Sequence, residues 1–374
     1  MSIPDDSPAP DLTARIHVLS LGGTIFMTAA DGEGAAPGAG GADVVAAGLP
    51  AGVEVTHEEV ANIGSPSVRP GHLGAVLERA RTAVYAGARG VVLTHGTDTL
   101  EESAFVLDAL WDRDAPLVLT GAMRPSDAPG ADGPANVRDA IRAAAAPALR
   151  GLGALAVFDG AAHLGARVRK LSSRSVSAFG SVPAGALAVI DEGTRLLQRP
   201  AAGATHAVDR PLVRLLAGAS AGSSADPSPG HSAGHSADPT TAGRPKLPDP
   251  LPRVPVISLG IGDEGEILDD LPRGSIAGLV VDGAGMGHVP AGAMPRLRSL
   301  VAEGVPVVVA TRIPDGGTST HHYSYPGSEV DLLASGCLMA GVLPAHKARL
   351  LLQLALARGL SAAGIGEAFA LFAS

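Results

Sequence analysis

The sequence predicts an α/β protein built on a largely parallel sheet, with room for a second domain, and three observations lead there. Short β-branched runs alternate with stretches whose apolar residues recur at helical spacing, the pattern of strands joined by crossover helices. The chain has 374 residues, beyond the roughly 250 to 300 at which single cores stop growing. An Ala/Gly/Ser/Pro-rich segment then divides the alternation into a longer and a shorter part.

Taken in order, residues 16–21 read as a first strand ending in Gly22-Gly23-Thr24-Ile25. The two glycines permit a tight turn and close approach, and set the Thr24 hydroxyl at the strand end. Residues 28–48 are rich in Gly and Ala without periodic apolar pattern, so they read as a mobile loop or lid beside that threonine. A weak alternation over 54–60 leads to a turn at 62–67, followed by a helix over 73–85. The run 91–93 is a buried strand delivering the turn Thr94-His95-Gly96-Thr97-Asp98-Thr99, after which Leu100, Ala104, Val106, Leu107 and Leu110 keep helical spacing. A strand at 117–120, a helix opened by Pro134, a strand at 155–158 and a hairpin over 187–197 complete this part. Residues 218–252, with a small GHSA repeat at Gly230 and Gly234, hold little apolar content to offset ordering entropy and read as a flexible linker. Beyond it come strands at 254–259, 279–282 and 305–311 and helices at 296–302, 345–358 and 362–372. The resulting division is 1–217, the linker 218–252, and 253–374.

Composition excludes several classes. A net charge of −9 without a dense Lys/Arg run lacks the electrostatic footprint of a nucleic-acid binder. The first residues carry neither a basic start nor an apolar core, so no secretory signal is expected. No stretch reaches the roughly 20 apolar residues of a membrane helix. Cys337 is the single cysteine, which rules out an internal disulfide and fits a reducing, cytoplasmic setting. It reads as a small buried apolar group rather than a nucleophile. His231 and His235 have metal-like spacing but no helix to hold them. The glycines at 283, 285 and 287 suggest a dinucleotide turn, but His288 replaces the third required glycine and Pro290 follows, so they read as a turn lining a cleft.

Chemistry in open α/β sheets gathers beyond the carboxyl ends of the strands. Thr97 and Asp98 set a hydroxyl and a carboxylate side by side at such an end. Thr99 with Glu102 fits a capping box, and Glu101 and Glu102 fit first-turn acids facing a helix dipole. Arg124 suits loop bracing through carbonyls, and His95 a buried, hydrogen-bonded role.

LGGTI at the first strand end, VVLTHGTDTLEESAFVLDAL and PLVLTGAMRPSDAPGADGPANVRDAI resemble the bacterial-type L-asparaginases, the asparaginase/glutaminase family, and the likeness continues through GARVRKLSS to KARLLLQLAL. The resemblance implies a larger N-terminal, mostly parallel domain and a smaller C-terminal α/β domain, assembled as a homodimer or homotetramer. It implies hydrolysis of the side-chain amide of L-asparagine, with some action on L-glutamine, without metal or organic cofactor. Thr24 then corresponds to the threonine that forms an acyl-enzyme. Thr97, Asp98 and Lys170 correspond to a set that activates the attacking water or hydroxyl, Asp98 also holding the α-amino group. Ser65 matches a residue contacting the α-carboxylate, and Ala122 one whose carbonyl lies near the leaving amide. Glu329 is the candidate for an acidic residue supplied across a subunit interface, and His288 the polar match in the glycine turn. The chain departs from the pattern in having no tyrosine before Tyr85, Pro66 after the serine, and Met286 where an asparagine is common.

The chemistry fits this allocation. A threonine hydroxyl is inert until something takes its proton, and a lysine does so when burial or charged neighbours lower its pKa. Main-chain N–H groups in glycine turns can supply oxyanion donors. Two other readings fit the same residues: an impaired amino-acid-binding protein, suggested by the missing lid tyrosine and Pro66, and an asparaginase-like subunit of a tRNA-dependent amidotransferase, disfavoured because no extra domain precedes the first strand.

Overall fold

The computed structural model describes residues 14–23, 27–28, 36–37, 52–198, 210–218, 247–272 and 274–373. Strands β1 (Ala14–Ser20), β2 (Met27–Thr28), β3 (Ala36–Pro37) and β4 (Val53–Glu59) open the chain, followed by helix α1 (Pro70–Tyr85). Then come β5 (Gly90–Thr94), α2 (Leu100–Leu110), β6 (Leu117–Thr120), α3 (Gly133–Ala145), β7 (Ala154–Phe158) and β8 (Ala161–Leu164). The short pieces β9 (Arg169–Lys170) and β10 (Phe179–Gly180), the hairpin β11 (Ala188–Ile190) and β12 (Thr194–Leu196), and α4 (Pro211–Gly218) end the first half. The second half holds β13 (Val256–Ser258), β14 (Leu279–Gly283), α5 (Met294–Ala302), β15 (Val307–Thr311), α6 (Glu329–Ala334), β16 (Leu338–Met339), α7 (Ala345–Ala357) and α8 (Ala362–Ala370).

The N-terminal sheet runs β12-β11-β8-β7-β6-β5-β1-β4. Strands β4, β1, β5, β6 and β7 are parallel, and β8, β11 and β12 continue the sheet antiparallel. Strands β5, β6 and β7 are buried along their whole length, which is why they read as unbroken apolar runs. Their side chains still alternate. Leu93, Leu119 and Ala156 face the layer with α1 and α2, whereas Val92, Val118 and Leu155 face Val137 and Ile141 of α3. The C-terminal sheet, β13-β14-β15-β16, is parallel throughout.

One apolar layer runs through both halves. Phe105 and Leu107 of α2 share it with Val280 of β14, Val308 of β15 and Leu351 of α7. Helix α2 is therefore apolar nearly all round, because it is enclosed by the large sheet on one side and the C-terminal half on the other.

The predicted strands and helices match elements found here, and the short elements β2, β3, β8, β9, β10, α4, α6 and β16 were not predicted. The predicted mobile loop contains β2 and β3, which pair antiparallel; its other residues lie outside the described residues. So does most of the expected linker, including His231 and His235. The end of that linker departs from the expectation. Asp249 accepts from Arg69 Nη2 at 3.1 Å and from the main-chain N–H of Gly71 at 3.3 Å, and Leu247 packs on the core. Among the described residues no helix is long and apolar enough to cross a membrane.

A buried ion pair ties α2 to the start of β7. Asp108 accepts from the main-chain N–H of Ala154 at 2.9 Å and pairs with Arg210 at 2.9 Å, and burial pushes its carboxyl above the usual range even though Arg210 pulls the other way. Removing the cation strands a buried carboxylate. Arg210→Met should lower the unfolding free energy by about 3 kcal/mol or more in urea titrations.

Candidate active site

Three glycine turns stack at the carboxyl ends of β1, β5 and β6. A Cβ on Gly23 (φ +106°) would lie 2.6 Å from the nitrogen of Gly96, and one on Gly121 would lie 2.4 Å from the carbonyl oxygen of His95. Only glycine allows main chain to approach main chain so closely. The contact brings the residue before Thr24 against the residue before Thr97. Thr24 itself lies outside the described residues.

The turn after β5 is held from beneath by His95. Gly96 O, a pure acceptor, lies 2.6 Å from Nδ1, so Nδ1 carries the proton and Nε2 accepts from the Ser103 hydroxyl at 2.9 Å. Burial pushes the ring down to about 4, and the imidazole is neutral. The expectation of a buried, hydrogen-bonded histidine holds.

Above it, the Lys170 ammonium donates to Thr97 Oγ1 at 2.9 Å and to Asp98 Oδ1 at 2.8 Å. The lysine arrives on the small antiparallel ladder of β9 and β10, opposite Phe179. Its side chain is 14% exposed, against 63% for Asp98. The cation is thus largely enclosed while the carboxylate opens outward, with one oxygen spent on the lysine. Ser65, buried in a single 3-10 turn, accepts the main-chain N–H of Asp98 on its hydroxyl at 3.2 Å. Four of the predicted residues, Ser65, Thr97, Asp98 and Lys170, therefore form one hydrogen-bonded group.

Thr99 corrects the sequence reading. Its hydroxyl donates to the carbonyl of Ser65 at 2.7 Å, and no side chain caps α2. The local capping box loses to a partner 34 positions away. Glu101 and Glu102 do occupy the first turn of α2, facing His346 at 3.2 Å and Arg349 at 3.3 Å.

The next turn, which includes buried Ala122, is braced from α3. Asp132 accepts the main-chain N–H groups of Met123 and Arg124 at 2.9 Å each, and Asn136 Nδ2 donates to Gly121 O at 3.0 Å. Arg124 Nη1 donates to Gly130 O at 2.9 Å, the bracing role expected of it. Asp132 and Asn136 were missed because a polar residue near a helix start reads as an ordinary cap.

His288 and Glu329 form a second group. His288 Nε2 lies 2.9 Å from Glu329 Oε2, and Tyr325 OH lies 2.7 Å from Nδ1. A carboxylate only accepts, so Nε2 carries the proton and the phenol donates to Nδ1. Burial alone would raise the Glu329 pKa. The main-chain N–H groups of Tyr323, Glu329 and His322, with His288, instead hold it below the usual carboxylate range. No hydrogen bond or ion pair among the described residues links this group to Thr97, Asp98 or Lys170. The glycine turn before it is tight, with Gly285 at φ 52° and Gly287 at φ 95°. Cys337 is buried, and desolvation pushes its thiol up to about 12, as suits an apolar packing group.

Comparison with known families gives two matches: the N-terminal asparaginase domain over residues 15–202 and the glutaminase/asparaginase C-terminal domain over residues 253–369. The chain belongs to the asparaginase family. Within this family a probable L-asparaginase of Deinococcus radiodurans is 34% identical over 366 residues, spanning 96% of this chain and 98% of that one. An L-asparaginase of Bacillus licheniformis is 26% identical over 355 residues, covering 92% and 96% of the two chains. The crystal structure of a probable cytoplasmic L-asparaginase from Campylobacter jejuni matches with a TM-score of 0.74 at 27% identity, over 96% of this chain and 99% of that one. The two-domain asparaginase fold and its amidohydrolase class follow.

Two buried histidines make stability of this asparaginase-family protein pH-dependent. His95 and His163, the latter bonded to Ser181 at 3.0 Å, are both pushed by burial from the ordinary 6.5 down to about 4. Between those values the unfolded chain binds protons that the folded chain does not, so stability falls as pH falls from 6.5 toward 4, by roughly 3 kcal/mol per ring. Urea midpoints should drop across that window, and His163→Gln should flatten the drop.

Proposed function

We propose that the protein hydrolyses the side-chain amide of L-asparagine to L-aspartate and ammonia through a threonine acyl-enzyme, with side activity on L-glutamine. The observation that carries the reading is the Lys170 ammonium seated between Thr97 Oγ1 and Asp98 Oδ1. In this reading the Thr24 hydroxyl attacks the amide carbon, its proton passes to the leaving nitrogen, and ammonia departs. Water then attacks the ester, one proton passing through Thr97 to Lys170 in its neutral form. As the ester C–O bond breaks, Lys170 returns that proton to the Thr24 oxygen, and the remaining water proton leaves with the carboxylic acid, which ionises to L-aspartate. The hydrogen bond between the lysine nitrogen and Thr97 Oγ1 supports that role, since a proton can pass directly between the two. The close packing of Gly23 on Gly96 supports the convergence of the two threonine turns.

Substrate recognition follows from the remaining groups. The outward Asp98 carboxylate takes the α-ammonium, and Ser65, whose hydroxyl hydrogen is left free to donate, takes the α-carboxylate. The Ala122 carbonyl receives the leaving amide, held in place by the Asp132 and Asn136 braces. In a homodimer or homotetramer, His288 and Glu329 of a neighbouring copy complete the site from the other side. The Glu329 carboxylate, anionic and already fixed by main-chain donors, suits the substrate's ammonium end. No metal or organic cofactor enters this scheme. The single buried cysteine supports a reducing, cytoplasmic setting.

The test is ammonia release by the purified chain with L-asparagine, L-glutamine and D-asparagine. Thr97→Val and Lys170→Met should each lower kcat on L-asparagine by about 10²-fold or more with an unchanged melting temperature. Binding of L-asparagine without turnover by the unaltered chain would replace this reading with that of a binding protein. Full activity in either variant would remove that residue from the mechanism.

A further inference from the structure

One fully buried charge lies outside the proposed active site. Lys347, on α7 of the C-terminal half, is fully buried. Its ammonium donates to the main-chain carbonyls of Val168, of Gly165 at 3.3 Å and of Ala166 at 3.4 Å, and lies 5.9 Å from the ring of Phe105. Burial pushes it down to about 8, and Arg169 adds to that, while Glu101, Asp108 and Glu102 act in the opposite sense. Desolvating an ammonium costs several kcal/mol, and an apolar side chain of similar length would fill the space without that penalty. What the apolar chain lacks is three donors aimed at three carbonyls.

Those carbonyls belong to the loop that delivers Lys170. Val168 is followed directly by β9, whose second residue is Lys170. The loop is pressed tightly on α2, since a Cβ on Gly165 would lie 2.6 Å from the carbonyl oxygen of Ala104. Helix α7 is itself seated on the first turn of α2, where the Glu101 carboxylate lies 3.2 Å from His346 Nε2 and Glu102 lies 3.3 Å from Arg349. Burial alone would raise the Glu101 pKa, but His346 and Lys347 hold it below the usual range. The loop that leads into Lys170 is therefore held by an ammonium from the C-terminal half.

We infer that Lys347 is a positioning residue, which sets the main chain of Lys170 so that its amine reaches Thr97 and Asp98 together. The inference rests on the role proposed above for Lys170. It gives the C-terminal half a part in the chemistry of its own chain: docking α7 against α2 aligns the base. Misplacement by about 1 Å is enough to cost about 10²-fold in rate, whereas Ser65 and the main chain of Asp98 are bonded to each other without the loop.

The test uses the full chain with Lys347→Met and with Lys347→Gln, whose amide keeps two donors, the second covering the case in which the first does not fold. Both should lower kcat for L-asparagine by about 10- to 100-fold with KM changed less than about threefold, and both should shift the pH at which kcat reaches half its plateau. Amide hydrogen exchange over residues 165–172 should rise in both while that of β5 and β6 stays unchanged. Wild-type kcat, pH profile and exchange in the folded variants would overturn the inference, as would a fall in melting temperature alone. If the unaltered chain releases no ammonia, the reading of the active site fails by itself, and exchange over residues 165–172 still decides whether Lys347 holds the loop.

Discussion

An ammonium group enclosed at the end of a parallel sheet is the constraint around which this molecule is arranged. Lys170 is mostly removed from water, and a cation so placed needs an anion and hydrogen-bond acceptors within reach. Asp98 and Thr97 meet that need from one turn, and the turn can stand there because β5 is buried along its length and Gly96 follows it. The lysine comes from a ladder of only two residues per strand, too short to fix its own position. Its placement is borrowed from neighbours. Lys347 holds the carbonyls of the preceding loop.

Helix α2 connects these parts. It begins immediately after the Thr97-Asp98 turn, carries Glu101 in its first turn, pairs through Asp108 with Arg210, and lies in the apolar layer shared by both halves. The same helix that is opened by the reactive turn thus meets α7. Rigidity at the site follows from burial on both sides of one helix, and the charges along it are compensated one by one by partners from distant segments.

The group around His288 obeys the same rule with opposite sign. Glu329 is a fully buried carboxylate, and three main-chain N–H groups with one imidazole keep it anionic. Tyr325 completes a line of phenol, imidazole and carboxylate in which each hydrogen-bonding direction is set by the one before it. Two of the chain's three tyrosines, Tyr323 and Tyr325, stand edge-on to that imidazole, and both are partly exposed. The segment after the first strand, where the family pattern has a tyrosine, carries none.

Much of this was legible in the residues themselves. The strand, turn and helix around Thr97 follow from a β-branched run, a polar turn and a helical apolar spacing, all local in sequence, and the glycines at 22, 23 and 96 announce the close turns. What the chain could not disclose is which long-range partner wins. Thr99 fits a capping box yet bonds Ser65, Asp249 lies in a linker-like stretch yet is held by Arg69 from 180 positions away, and Lys347, a charged residue in a predicted helix, is fully buried. Propensity and spacing are properties of neighbouring residues, and they determined the elements and the reactive turn. Desolvation and its compensation depend on what packs against a group from elsewhere in the chain, so only the tertiary structure decided which charges are buried and what holds Lys170 in place.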